Sequence, residues 1–336
     1  MDETAHNDSQ VQPVFGGYPL PGSIVATQFV DGSVVTAFEA EVSQLQKALG
    51  GTLGFAARHL QSGLAVGVNA EVRFPMASTF KIAIAATALA LVDQGRLRLD
   101  QMVSITPEHC LQTGEIGDGL VHPGISLSLG NLVEIMLVHS NNNATDRVLE
   151  CVGGTPIVTA WLRRIGVEDM RVDRTVNGIL NDFFGFEADS PSADTFIKRY
   201  PSVAEQAAFE GVVNTQFDED PRDSATPAAM VELLCKVFSG DTLQINSRTF
   251  LLETMTRCRT GAARIKGLLP LTASVAHKTG TIGGTINDAG IVTLPDGGGH
   301  FALTVFIKGS DVLPISSRER AVSEVARSVY DFYRLR

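Results

Sequence analysis

Eleven consecutive residues, Ile82 to Val92 (IAIAATALALV), carry no charge and no polar group beyond the Thr87 hydroxyl. The run is too short to cross a bilayer and reads as a helix buried in a core. One ammonium group stands at its mouth, Lys81, and a hydroxyl, Ser78, precedes that by one helical turn. A lysine there has two readings. It can be a side chain that lays its stem on apolar surface and sends its charge to water, or it can be the partner of an activated nucleophile. The rest of the chain has to choose.

The chain has 336 residues, enough for a large core, with 44% apolar and 19% charged residues. Its net charge of −10 argues against a polyanionic partner, and no basic run is long enough to grip nucleic acid or an anionic membrane. The first ten residues, MDETAHNDSQ, hold no basic segment followed by an apolar one, so no secretory leader is expected in this sequence. Either the protein stays in the cytoplasm or a leader lies outside the chain. Cys110, Cys151, Cys235 and Cys258 form no C-x-x-C pair and have no histidine at ligand spacing. They read as small buried hydrophobes. No metal, cofactor or disulfide framework is expected.

Residues 1–35 mix Pro, Gly and polar residues and read as a tail. VTAFEAEVSQLQKAL (Val35 to Leu49) has helical spacing, and GTLGFAARHLQSGLAVGVNAEVRF alternates about a turn like a β-hairpin. The middle third is mostly helical. Thr155 with Pro156, and Thr226 with Pro227, read as capped helix starts. From Asn177 to Asp220 there is no clear periodicity. SVAHKTGTIGGTINDAGIVTLPDGGGHFALTVFIKG reads as three strands, and a helix closes the chain. The simplest packing is α/β plus all-α. Residues 36–76 and 259–336 would share an α/β domain with an antiparallel sheet flanked by helices, and 77–258 would form a helical second domain.

Three short motifs punctuate this order: Ser78-Thr79-Phe80-Lys81, then Ser140-Asn141-Asn142 after 62 residues, then Lys278-Thr279-Gly280 on an expected strand. Each has a bland reading. Ser140 to Asn142 could cap the next helix, and Lys278 could protect an edge strand. His139 and His277 leave a Ser-His-Asp triad open. The three motifs in this order are the stronger signal. Ser78 would sit at a helix N-terminus, with Lys81 on the same face. A second cation, Lys278, would lower the pKa of a desolvated Lys81 and free its amine as a base. On a strand Thr279 and Thr281 share one face and Lys278 points to the other.

With these motifs, and with EVRFPMASTFK, SNNNATD, DPRDSATPAAM, TGAARIKGLLP and HKTGTIGGTIND around them, the chain resembles the class A serine β-lactamases, within the penicillin-recognising serine hydrolases. The likeness runs from about residue 50 to the C-terminus. It implies a β-lactamase/transpeptidase-like fold and hydrolysis of a β-lactam amide through an acyl-enzyme on Ser78. It implies catalysis with Lys81 as base, Ser140 as proton relay and Lys278 as the cation reaching Ser140, and substrate binding by Asn142, Asn181, Thr279, Gly280 and Thr281, with the backbone N–H groups of Ser78 and Thr281 as oxyanion hole. A small β-lactam or related acyl compound would be the partner, the protein a monomer, and its place the periplasm or exterior.

Two departures qualify the resemblance. The second motif carries Asn141 where the family has an aspartate, a change expected to touch local structure more than chemistry. The family's R-x-E-x-x-L-N stretch, which holds the deacylating glutamate, is here RTVNGILN, and Asn177 stands in the glutamate's place. An amide cannot take a proton from water. Arg174 and Asp223 match the ion pair that closes the Ω-loop, but 49 positions separate them, so the loop, about 174–223, is enlarged. The insertion brings acids of its own, among them Asp182, Glu187, Asp189, Asp194, Glu205 and Glu210; Glu187, beside Phe183, Phe184 and Phe186, is the candidate replacement base. Two rivals follow. One is a related serine hydrolase acting on another ester, amide or peptide. The other is a penicillin-binding or sensor protein that is acylated and stays so.

Overall fold

A computed structural model describes residues 28–29, 31–106, 109, 116, 125–185 and 211–335. After the short strand β1 (Gln28–Phe29), helix α1 (Gly32–Leu49) starts at Asp31, whose carboxylate accepts the Ser33 N–H, and stops at Gly50 in a left-handed conformation. The hairpin β2 (Thr52–His59) and β3 (Leu64–Val68) follows as expected, then β4 (Phe74–Pro75). A 3-10 turn, Ala77–Phe80, feeds α2 (Lys81–Asp93). Strands β5 (Met102–Ile105) and β6 (Ile125–Ser128) pair with each other ahead of α3 (Leu129–Val138), α4 (Asn142–Val152), α5 (Thr155–Arg164) and α6 (Val176–Phe184). Next come α7 (Thr215–Asp218), β7 (Ser224–Ala225), which pairs with β4, then α8 (Pro227–Ser239) and α9 (Ile245–Thr256). Strands β8 (Ser274–Ile282), β9 (Thr285–Thr293) and β10 (His300–Lys308) and helix α10 (Ile315–Arg334) complete the chain.

Strands from both ends of the chain join in one sheet of order β1-β3-β2-β10-β9-β8, antiparallel except for β1 beside β3. Phe55 stands opposite Val305 where the early hairpin meets the late strands. One apolar layer lies between the sheet and α1 and α10, built from residues such as Val42, Phe55, Val305 and Val329. A second, larger layer lies on the other side and runs through the helices around α2. All residues of α2 from Lys81 to Leu91 are buried, so this helix has no water-facing side. The apolar run is therefore an axis around which the other helices of this side pack.

Two expectations about local structure need correction. Thr155 does not cap α5. Gly154 holds the cap position, and the Thr155 hydroxyl donates instead to the Asp173 carbonyl at 3.0 Å. Thr226 does cap α8, accepting the Ala229 N–H at 3.1 Å. The stretch from Asn177 also begins as helix rather than irregular loop. Thr175 caps α6 through the Gly178 N–H, and the first-turn N–H groups of Val176 and Asn177 go to Asp146, thirty residues back on α4. A helix start satisfied by so distant a carboxylate leaves little local signal. Arg174 and Asp223 do pair, at 2.6 Å, and Arg174 also reaches Asp182 and Asp220. The far end of the enlarged segment returns beside the β8–β9 turn, where Gly211 N–H donates to Gly283 O and Gly284 N–H to Val212 O. Phe183 turns into this seam against Phe217. Glu187, Asp189, Asp194, Glu205, Glu210, Phe186 and Cys110 lie outside the described residues, as do residues 1–27.

Candidate active site

Ser78 stands where the 3-10 turn leads into α2. Ala77 before it is held at φ 44°, a left-handed conformation that a side chain adopts only at a cost of about 1–2 kcal/mol. Asn287 on β9 maintains this bend by donating through Nδ2 to the carbonyls of Pro75 (2.7 Å) and Met76 (3.1 Å). Strand β8 presses on the same segment. A Cβ on Gly280 would stand 2.7 Å from Met76 O, 2.9 Å from Ser78 N and 3.0 Å from the Ala77 Cβ. The glycine of the third motif is thus what lets the strand approach the Ser78 backbone.

The two lysines meet at the second motif. Lys81 Nζ donates to Ser140 O at 2.6 Å, to Asn142 Oδ1 at 2.8 Å and to Ser140 Oγ at 3.3 Å. Lys278 Nζ donates to Ser140 Oγ at 2.9 Å and to Thr279 O at 2.9 Å. Both lysines are completely buried. Neither bland reading fits: Lys81 does not snorkel to water, and Lys278, though on the edge strand, does not guard that edge. The Ser140 oxygen accepts from two amines, which uses both lone pairs and leaves its own proton to give. Ser140 has φ 61°, the second strained residue of the cluster. Asn141 caps α4, its Oδ1 accepting the Ala144 N–H at 2.8 Å. The second motif is therefore a helix cap and a polar hub at once, and the aspartate-to-asparagine departure falls on its structural member.

Burial lowers both lysine pKa values. Lys81 lies well below its ordinary range, through desolvation first and the Lys278 charge second, with Asp146 opposing. Lys278 is lowered to about 8, chiefly by desolvation and further by Arg264, against the pull of Cys258 and Asp288. Lys278 thus stays largely protonated at neutral pH, while burial and the Lys278 charge both favour the neutral form of Lys81. Thr279 and Thr281 have separate partners. Thr279 Oγ1 bonds Thr260 Oγ1 at 2.5 Å, and Thr281 Oγ1, at the exposed position, accepts from Arg264 Nη2 at 2.7 Å. Arg264 also donates to the carbonyls of Gly280 and Asn287, both at 3.0 Å. Its buried guanidinium fixes the strand and places a fixed positive charge beside Thr281.

Asp146 is the last residue of SNNNATD. It lies one turn beyond Asn142 on the same helix face. Its two oxygens accept the Val176 N–H at 2.7 Å and the Asn177 N–H at 3.1 Å. Burial raises its pKa to about 6 in spite of those bonds and the Lys81 charge. Asn177 thus meets the site through its backbone. Asn181 lies a turn further along α6, and among the described residues its side chain makes no hydrogen bond to Ser78, Lys81 or Ser140. His277 is not part of a serine triad: it is fully buried, its Nδ1 bonds both oxygens of Asp288 at 2.9 Å, and its Nε2 bonds no serine.

A helix-flanked antiparallel sheet, with serine and lysine pairs gathered where it meets the helical layer, is the build of a serine hydrolase. Comparison with known proteins agrees. The model of the β-lactamase enzyme family matches residues 37–333. A β-lactamase of Stenotrophomonas maltophilia is 28% identical over 307 residues, 91% of this chain and 88% of its own. An imipenem-hydrolysing β-lactamase of Enterobacter cloacae is 30% identical over 259 residues, 75% of each chain. A solved β-lactamase of Xanthomonas campestris superposes with a TM-score of 0.73 at 30% identity, covering 89% of this chain and 98% of its own. This chain belongs to the class A serine β-lactamase family. Among the described residues no helix is long and apolar enough to cross a membrane, and no cluster of His, Cys, Asp and Glu could hold a metal ion.

Proposed function

We propose that this protein opens β-lactam rings by acylation at Ser78. The observation that carries the reading is the convergence of two buried lysines on the Ser140 hydroxyl, 3.3 and 2.9 Å away, beside a serine whose backbone N–H abuts Gly280. The neutral amine of Lys81 takes the Ser78 proton as its oxygen attacks the ring carbonyl. The Ser78 and Thr281 N–H groups receive the developing oxyanion. Ser140, held by both amines, passes its proton to the departing nitrogen, and Lys81 replaces it. Asn142 orients Lys81. Thr279, Gly280 and Thr281, with the Arg264 charge behind them, receive the substrate carboxylate.

Deacylation needs a group that takes a proton from water. Asn177 cannot do so, which favours a long-lived acyl-enzyme over the fast turnover a glutamate would give. Glu187, in the enlarged loop, is the replacement base in this reading, and Asn181 the residue that holds the water. Residues 36–76 and 259–336 form the α/β domain and 77–258 the helical one, with the reaction at their junction. The test mixes the protein with a penicillin and a chromogenic cephalosporin and follows colour and intact mass. Many turnovers that survive Glu187→Gln would remove Glu187 from the scheme. A stable adduct, absent in Ser78→Ala, would identify a penicillin-binding protein. The absence of both colour and adduct would refute the β-lactam reading and favour an ester, amide or peptide substrate.

A further inference from the structure

Directly beneath the substrate-binding strand lies a second group of reactive side chains that the β-lactam reaction does not use. His277, on β8 next to Lys278, is wholly buried, with its Nδ1 on Asp288. Its other nitrogen, Nε2, is buried without a conventionally aligned hydrogen-bond partner, and the polar group acting on that ring besides Asp288 is the thiol of Cys258. Cys258 follows α9 and is 7% exposed. Its Sγ lies 3.3 Å from Thr260 Oγ1, which lies 2.5 Å from Thr279 Oγ1. Hydrogen bonds join Asp288 to His277 on one side and Cys258 through Thr260 to Thr279 on the other, and His277 and Cys258 act on each other electrostatically between them.

We propose that Cys258, His277 and Asp288 form a thiol-modification site for small neutral oxidants of the peroxide class, and that oxidation there weakens substrate binding through Thr260 and Thr279. The chemistry follows from the charges around the thiol. Burial alone would raise the thiol's pKa, but His277, the Lys278 charge and the Thr260 hydroxyl bring it down to about 6. Burial would likewise lower the pKa of His277, but Asp288 and the sulfur hold it up, at about 9. The groups facing this pair are thus Asp288, Lys278 and, through Lys278, Arg264. Both shifts favour the thiolate and imidazolium forms of the pair. The thiolate attacks one oxygen of hydrogen peroxide, the O–O bond breaks, and the departing hydroxide takes the His277 proton and leaves as water. Sulfur is oxidised to sulfenic acid and the peroxide is reduced, with no further reactant. The added oxygen must be accommodated between Sγ and Thr260, which moves the hydroxyl that Thr279 leans on. Cys235 provides the contrast: it is fully buried, and its pKa is pushed up to about 12, chiefly by burial.

The effect on binding rests on the β-lactam reading; the reactivity of Cys258 does not. The test treats the full chain, with Cys110→Ser and Cys151→Ser to silence two other thiols, with hydrogen peroxide at pH 7. Intact mass and peptide mapping are expected to show one oxygen on Cys258, none on Cys235, and reversal by dithiothreitol. His277→Asn is expected to slow the oxidation at least tenfold. Cys258→Ser is expected to remove the effect of peroxide on the concentration of penicillin needed to acylate Ser78, which should rise several-fold in the oxidised parent. An unmodified Cys258 under conditions that oxidise the unfolded chain would overturn the proposal without recourse to any variant. So would oxidation at Cys258 that leaves acylation unchanged. Failure of the β-lactam reading itself would show as no acylation before oxidation, with the mass result still standing.

Discussion

Gly280→Ala isolates the contact between strand and nucleophile. The new Cβ would stand 2.7 Å from Met76 O and 2.9 Å from Ser78 N, against an ordinary contact of 3.4 Å or more. Both neighbours are backbone atoms, so no side chain can swing aside. The strand and the turn must separate by about 0.5–0.7 Å. Arg264, bonded to the carbonyls of Gly280 and Asn287, and Asn287, bonded to those of Pro75 and Met76, resist that separation. A displacement near 1 Å in a reacting geometry costs on the order of 100-fold in rate, and loss of one oxyanion donor about 100- to 1,000-fold. The expected result is acylation of Ser78 slowed by about 100-fold, with a stability loss of about 1–3 kcal/mol from overpacking. Rapid-quench mass spectrometry with a penicillin reads the first, and urea denaturation the second. Acylation within threefold of the parent, in a folded variant, would refute the claim that this approach sets the geometry of Ser78.

Other perturbations test the charges. Asp146→Asn removes an acceptor of two backbone N–H groups, so about 1 kcal/mol of stability should go; since Asp146 favours the protonated form of Lys81, the acid limb of the acylation pH profile should also move to lower pH. Arg174→Gln leaves Asp223 buried without its guanidinium, and a loss of about 3 kcal/mol is expected in urea denaturation. A loss below 1 kcal/mol would mean that the backbone donors of Asp173 and Arg174 suffice. For Lys278 the folded pKa is about 8 and the unfolded one 10.5. Between those values the unfolded chain binds more protons, so stability rises with pH. Relative to Lys278→Met, the parent should gain up to about 3 kcal/mol between pH 7.5 and 11, measured by denaturation at each pH. No difference in slope would mean that Lys278 titrates normally.

What the sequence disclosed were features written in contiguous residues. The apolar run of α2, the hairpin, the three late strands and the Thr226 cap could be read because period, turn glycines and caps are local. The motif residues Ser78, Lys81, Ser140 and Lys278 could be read because their spacing is unusual and their order fixed. The groups that hold them in place were less visible. Arg264 and Asn287 act through backbone carbonyls of other segments, and Asp146 through the N–H groups of a helix thirty residues on. Such roles depend on where the chain returns in space, and each of these side chains taken alone looks like an ordinary surface polar residue. Cys258 is buried, as its composition class suggests, but its neighbourhood was invisible for the same reason: His277 is nineteen positions away, on another element.

The sheet carries a consequence for synthesis. Strand β2 is apolar from Leu53 to Ala57, and its partner β10 lies about 240 residues downstream. At about 5–20 residues per second, the ribosome takes roughly 12–50 s to deliver that partner. During this interval β2 has β3 on one side and an open row of backbone donors and acceptors on the other. The nascent chain therefore spends its youth with an adhesive edge, and its yield in a cell should depend on what shields Leu53 to Ala57 until β10 emerges.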